Sequence, residues 1–195
     1  MSRTCSGIFL FMKITVKTGV IAALIWIALR MLIFAFDLFP YNVVPSVMLN
    51  ILGVLLSIAI GLFLQKRSSS EDSNALNDIK NGMSAGVSYT VIVSVFLYFY
   101  YGKIDPDFNK HQLSEIEMAL KKDMNDPEKL KQIKDSNEEF EVMTKEEIYD
   151  SIIEGPRAFY SPGSTMAISM LSLLLLTTLN SIFVTVIYRR IVFRN

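Results

Sequence analysis

What this sequence of 195 residues has least of is equipment for chemistry: it holds one cysteine, Cys5, and one histidine, His111. A single cysteine excludes an internal disulfide and a thiolate metal cluster, and Cys5 lacks the small-residue context of a lipid-modified N-terminus, so it reads as inert. A single histidine excludes a histidine metal site, and the spans argued below put Cys5 and His111 on opposite sides of a membrane, which excludes a Cys–His nucleophilic pair. The phosphate-cradling, nucleophile-elbow, zinc-protease and dinucleotide fingerprints are all missing. Excess charge is missing too, since 19 Lys and Arg stand against 19 Asp and Glu. With no basic stripe interleaved with aromatics, nucleic acid is not an expected partner. The expectation is a chain without cofactor or metal and without enzymatic activity.

What is present is long apolar runs. A run of about 18 or more residues with few charges exceeds what a soluble core helix needs and matches a hydrocarbon layer roughly 30 Å thick. Four runs qualify: residues 18–39, 43–64, 83–101 and 164–188. The first follows Arg3, Lys13 and Lys17, as a signal peptide would, but no A-x-A-like site follows it, so it reads as a span. Pro40-Tyr41-Asn42 then leaves room only for an antiparallel hairpin, with Pro40 and Pro45 marking the break. Residues 65–82 form a Ser-rich polar linker carrying Lys66, Arg67, Glu71, Asp72, Asp78 and Lys80.

The basic residues orient the spans, because Lys and Arg near span ends resist translocation. With four crossings, Arg3, Lys13, Lys17, Lys66, Arg67, Lys80, Arg189, Arg190 and Arg194 all fall on one side. Aromatic residues gather at the opposite ends: Phe36, Phe39 and Tyr41 after span one, and Tyr98, Phe99, Tyr100 and Tyr101 closing span three. Segment 103–163 carries nine Lys and Arg against fifteen Asp and Glu, a net of −6. The expected fold is therefore all-α: a four-helix transmembrane bundle with both termini cytoplasmic and a helical insertion outside, between spans three and four. Its parts are an N-terminus 1–17, spans one to three within 18–102, the acidic insertion 103–163, and span four with a basic tail, 164–195.

Three helices are expected in the insertion. Leu113, Ile116 and Leu120 repeat at helical spacing over 111–124. Asp126-Pro127 reads as N-cap and first helical residue ahead of Leu130, Ile133 and Phe140. Thr144 to Glu147 forms a capping-box pattern before Ile148, Ile152 and Ile153, with Gly155-Pro156 as the stop. So few large apolar side chains over about 60 residues promise little core, and the insertion is expected to lie against the membrane surface or a partner.

Inside the spans, Arg30 stands out. At helical rise it lies roughly 20 Å beyond Lys17, where a lipid-facing arginine costs several kcal/mol. Asp37, seven residues on and on the same face, Asn50 of span two and Asn180 of span four are its candidate partners. Together these four residues form either an intramembrane polar site for a substrate, ion or partner, or a packing device between helices. Small residues repeat beside it. Gly53, Ser57 and Gly61 continue Ser46 and Asn50 along one face of span two. Gly86, Thr90 and Ser94 do so on span three, Thr177, Ser181 and Thr185 on span four, and Gly19, Ala23, Trp26 and Arg30 on span one. Close helix packing, with Gly53, Ser57, Gly61 and Gly86 at its centre, accounts for these stripes better than a lined pathway does. Asp105, Asp107 and Asn109 alternate like the opening of a calcium loop, but Lys110 and Ile116 occupy the positions that need glycine and a carboxylate. A turn opening the insertion is the better reading.

Two hairpinned spans, the linker ending Asn81-Gly82-Met83, an aromatic third span entering Ile104-Asp105-Pro106-Asp107-Phe108, and Ser161-Pro162 before the last span resemble the bacterial domain-of-unknown-function 4199 family of small membrane proteins. The resemblance implies a bacterial inner membrane and a periplasmic insertion, and it brings no catalytic residues. The expected function is an accessory or scaffolding subunit whose insertion contacts a membrane or periplasmic protein. The alternative is a small transporter or channel subunit organised around Arg30.

Overall fold

The computed structural model describes residues 13–39, 41–68 and 74–192. Arg3, Cys5, Pro40, Glu71, Asp72 and Arg194, given roles above, lie outside the described residues, which form helices joined by short turns and contain no strand. The helices are α1 (Ile14–Ala35), α2 (Val44–Ser68), α3 (Ala75–Phe99), α4 (Pro106–Asn125), α5 (Pro127–Asp135), α6 (Glu138–Glu141), α7 (Lys145–Phe159) and α8 (Pro162–Ile187). A π-helical turn, Tyr100–Ile104, extends α3, and another, Tyr188–Val192, extends α8. With those turns α3 and α8 join α1 and α2 as four helices long and apolar enough to cross a membrane.

Helix ends differ from the expected span ends for local reasons. Helix α1 stops at Ala35, because Asp37, Phe39 and Tyr41 all take the left-handed conformation (φ 49°, 60° and 59°) that reverses the chain. The hairpin turn thus occupies residues 36–43, wider than three residues, and Asn42 Oδ1 accepts from Val44 N at 3.0 Å to start α2. Helix α3 starts eight residues before the expected span. Asn74 Oδ1 accepts from Asn77 N at 2.9 Å, and Asp78 lies in the first turn, so the polar stretch before Met83 is helical.

The chain divides into two compact units, Met1–Phe96 with Ala167–Asn195, and Leu97–Met166. In the first, large apolar side chains face outward, among them Ile25, Leu171, Leu175 and Leu179, each more than half exposed. The interior mixes apolar side chains such as Ile58, Leu62 and Tyr89 with many small polar ones: Thr15, Ser57, Thr90, Ser94, Thr177 and Ser181 have no exposed surface. A soluble bundle is built the other way round, whereas lipid imposes this arrangement.

Glycines set the helix spacing. A Cβ on Gly19 would strike the Ala85 carbonyl, one on Gly86 the Thr177 side chain, and one on Gly53 the Tyr89 hydroxyl. A Cβ on Gly61 would press at 3.1 Å on Ala85 Cβ. Gly53, Gly61 and Gly86 therefore stand at helix crossings, and Ser57 lies on the same buried face of α2 with its hydroxyl turned back to the Val54 carbonyl at 2.8 Å. Contact pairs give the directions. Thr15 meets Gly61 while Arg30 meets Ser46, and Gly82 meets Ser181 while Gly86 meets Thr177, so α1 runs antiparallel to α2 and α3 to α8.

In the second unit, Asp105 caps α4 by accepting from Phe108 N at 3.2 Å, while its other oxygen accepts from the Tyr100 hydroxyl at 3.0 Å. Pro106 is the first helical residue, and the Phe108 ring lies 5.4 Å from that of Tyr101. The Asp-Pro-Asp-Phe entry is a helix start with an aromatic anchor. Asp126 caps α5, and the capping box of Thr144 and Glu147 opens α7. Two expectations are corrected. Gly155-Pro156 does not stop α7, which runs on to Phe159 because Tyr160 N still reaches the Pro156 carbonyl at 3.0 Å. The unit also holds a modest core, with Phe108, Met124, Ile148 and Ile153 all buried.

Candidate functional site

Arg30, on the last turns of α1, is 6 % exposed, and its Nη1 donates to Ser46 Oγ at 2.6 Å. Ser46, in the first turn of α2, is buried to the same degree. The four residues proposed for one polar site are not brought together. Asp37 is an exposed turn residue in the left-handed region, a conformation that aspartate tolerates and that the hairpin uses. Asn50 turns to α3 instead, where the Tyr89 hydroxyl donates to its Oδ1 at 2.7 Å and lies 3.3 Å from its carbonyl oxygen. Asn180 neighbours Ser181, which faces Gly82 on α3, a level about 20 Å along the axis from Arg30 at helical rise.

Below Asn50 and Tyr89, the Thr90 and Thr177 hydroxyls lie 3.4 Å apart across α3 and α8. Thr15, Ser94, Ser181 and Thr185 bury hydroxyls that make no hydrogen bond among the described residues. These side chains serve the packing through their size. Tyr89 went unnoticed in the sequence because an aromatic within an apolar run looks like core; its signal was its place one residue before Thr90, on the inward face of span three.

At the far end of α2, Asp78 is 1 % exposed and its Oδ2 accepts from Lys66 Nζ at 3.0 Å and from Arg189 Nε at 2.9 Å. One carboxylate thus ties the ends of α2, α3 and α8. The neighbouring Tyr188 hydroxyl donates to the Ala59 carbonyl at 3.0 Å, which binds α8 to α2 a second time. Reading residues 65–82 as linker hid this cluster, because a carboxylate in a polar stretch is ordinarily solvated.

In the second unit, a cleft of about 310 Å³ opens between α4 and α7, lined by Lys121, Met124, Lys145, Tyr149 and Asp150 among others. Lys121 Nζ stands 5.6 Å from the centre of the Tyr149 ring, and Arg157 pairs with Glu117 at 3.2 Å across the two helices. Hydrogen bonds from the Thr144 backbone N–H and hydroxyl hold the Glu147 carboxyl below its ordinary value. A hydrogen bond to Asp123 raises the Lys129 ammonium.

Four long apolar helices that turn large apolar side chains outward and bury many small polar ones define a multi-pass membrane protein. The chain belongs to the family described as "Protein of unknown function (DUF4199)", whose model matches residues 17–190. No curated protein and no solved structure matches it.

Proposed function

We propose that this protein is a non-enzymatic accessory or scaffolding subunit of a bacterial inner membrane. In this reading the end of the bundle bearing Lys66 and Arg189 is cytoplasmic, and the acidic helices α4–α7 meet a partner outside. The observation that carries it is the use made of Arg30: the deepest cation is buried and bonded to the neighbouring helix of its own hairpin, as a packing residue would be. Met118 and Val142, 62 % and 89 % exposed, give the outer helices apolar points of contact amid the acidic surface. Crosslinking in native membranes followed by purification should recover a specific protein that is lost on deletion of residues 110–153. An unchanged set of partners from a correctly inserted deletion variant would reject the proposal.

A small transporter or channel subunit organised around Arg30 is the second reading. It is favoured by the polar groups that continue inward from Arg30 and Ser46 through Asn50, Tyr89, Thr90 and Thr177. Arg30→Ala with normal insertion and a lost flux would support it, and normal flux would end it.

A further inference from the structure

Arg30 and Asn50 each direct their polar groups to a neighbouring helix of the same chain, to Ser46 and to Tyr89. Asn180 does not: it is only partly covered, and its amide makes no hydrogen bond among the described residues. The apolar helix Pro162–Ile191 continues roughly 16 Å beyond Asn180 on one side and roughly 27 Å on the other, which sets the amide inside a hydrocarbon layer roughly 30 Å thick. A side chain this short cannot reach the headgroups from there, and an amide left unpaired in lipid is costly. Thr178, exposed two residues earlier, turns its hydroxyl back to the Leu174 carbonyl at 3.0 Å and is satisfied within its own helix. Asn180 has no such bond.

A stripe along α8 surrounds it. Ser172, Leu176 and Asn180 recur at every fourth position and Phe183 follows three further on, so they share one side of the helix. Ser172 is exposed, with a hydroxyl that also makes no hydrogen bond among the described residues, and Phe183 is 62 % exposed. An amide carries both donors and an acceptor, so it is its own complement. Two copies in one membrane share an orientation, and a two-fold axis along the bilayer normal sets each level of α8 against the same level of the second copy, residue 180 on 180 and 172 on 172. A helix of another protein meets Asn180 only by offering a matching polar group at the same depth.

We propose that α8 is a self-association surface, along which a second copy of this chain docks with the two Asn180 amides hydrogen-bonded to each other and Ser172, Leu176 and Phe183 packed beside them. The contact does not depend on which side of the membrane Lys66 faces or on what the outer helices meet.

The test is run on the full chain in lipid vesicles. Ser172→Cys in a Cys5→Ser background is expected to give, on oxidation, a disulfide-linked species of twice the chain mass. Leu171→Cys in the same background, 63 % exposed but turned about 100° round the helix, is expected to give far less. Energy transfer between labelled copies is expected to show dimerisation weakened roughly tenfold by Asn180→Leu, the scale of interhelical hydrogen bonds, and largely kept by Asn180→Gln, which retains donor and acceptor. Leucine favours both the helix and its insertion, so the weakened variant remains a folded chain. A monomer at every lipid dilution would overturn the proposal. So would undiminished dimerisation of Asn180→Leu, equal crosslinking at positions 171 and 172, or, in native membranes, a Ser172→Cys crosslink to a different protein in place of the dimer.

Discussion

Arg30 shows how a burden on one residue becomes a bond between two helices. A guanidinium at that depth is tolerable only when its donors are met, and a hydroxyl on the facing helix meets one of them at 2.6 Å. Ser46→Ala should therefore lower stability by about 1–3 kcal/mol, the usual scale for a hydrogen bond to a charged group. Reversible unfolding in mixed micelles reads this directly. In an Arg30→Met background the same substitution should cost almost nothing; an undiminished cost would mean that Ser46 matters for another reason. The need for a partner was legible in the sequence, and the partner was not. Asp37, Asn50 and Asn180 were the candidates, whereas the pairing is set by hairpin register, which puts residue 46 opposite residue 30 just as it puts 61 opposite 15. Asp37, the nearest charge, was already committed to reversing the chain.

At the scale of elements, spacing and capping decide. The small-residue stripes were readable because lipid rewards backbone approach, and Gly86 against Thr177 is such an approach. Gly86→Leu should force α3 and α8 apart at a cost of about 1–3 kcal/mol or more, seen as a lower unfolding temperature in detergent. An unchanged temperature would place the α3–α8 contact elsewhere. Gly155 is the opposite case, since nothing lies within 4 Å of a Cβ there and its backbone is helical. Gly155→Ala should stabilise α7 by about 0.5–1 kcal/mol through helix propensity alone, measurable in a thermal melt followed by circular dichroism. The start of α7 should also be acid-sensitive. Because the folded state lowers the Glu147 carboxyl, its contribution is complete above the ordinary carboxylate range and is lost as pH falls through the lowered value. Protection factors of amides in the first turn of α7, taken relative to the intrinsic exchange rate at each pH, should fall at acid pH in the native chain and change less in Glu147→Gln. Helix starts in this unit were legible because caps are local. The end of α7 was not, because Gly-Pro only weakens a helix that neighbouring packing can sustain.

For the whole molecule, four apolar runs and their charged flanks were enough to give an all-helical membrane protein. The sequence said less about what joins the helices at the Lys66 end. Asp78→Asn should remove the charge that Lys66 and Arg189 share, at a cost near the lower end of the 3–5 kcal/mol typical of a broken buried ion pair, because both cations keep some access to solvent. A loss well under about 1 kcal/mol in the same micelle unfolding would show that the cluster adds nothing.

The three charges of that cluster are also separated in time. Lys66 and Asp78 leave the ribosome almost together, but Arg189 follows 111 positions after Asp78, on the order of 10 s later at ordinary rates of synthesis. Until α8 arrives, the carboxylate lacks Arg189. A chain halted before α8 is thus marked at this end by an aspartate that has yet to meet Arg189. Helix α8 closes an ion cluster that α2 and α3 began.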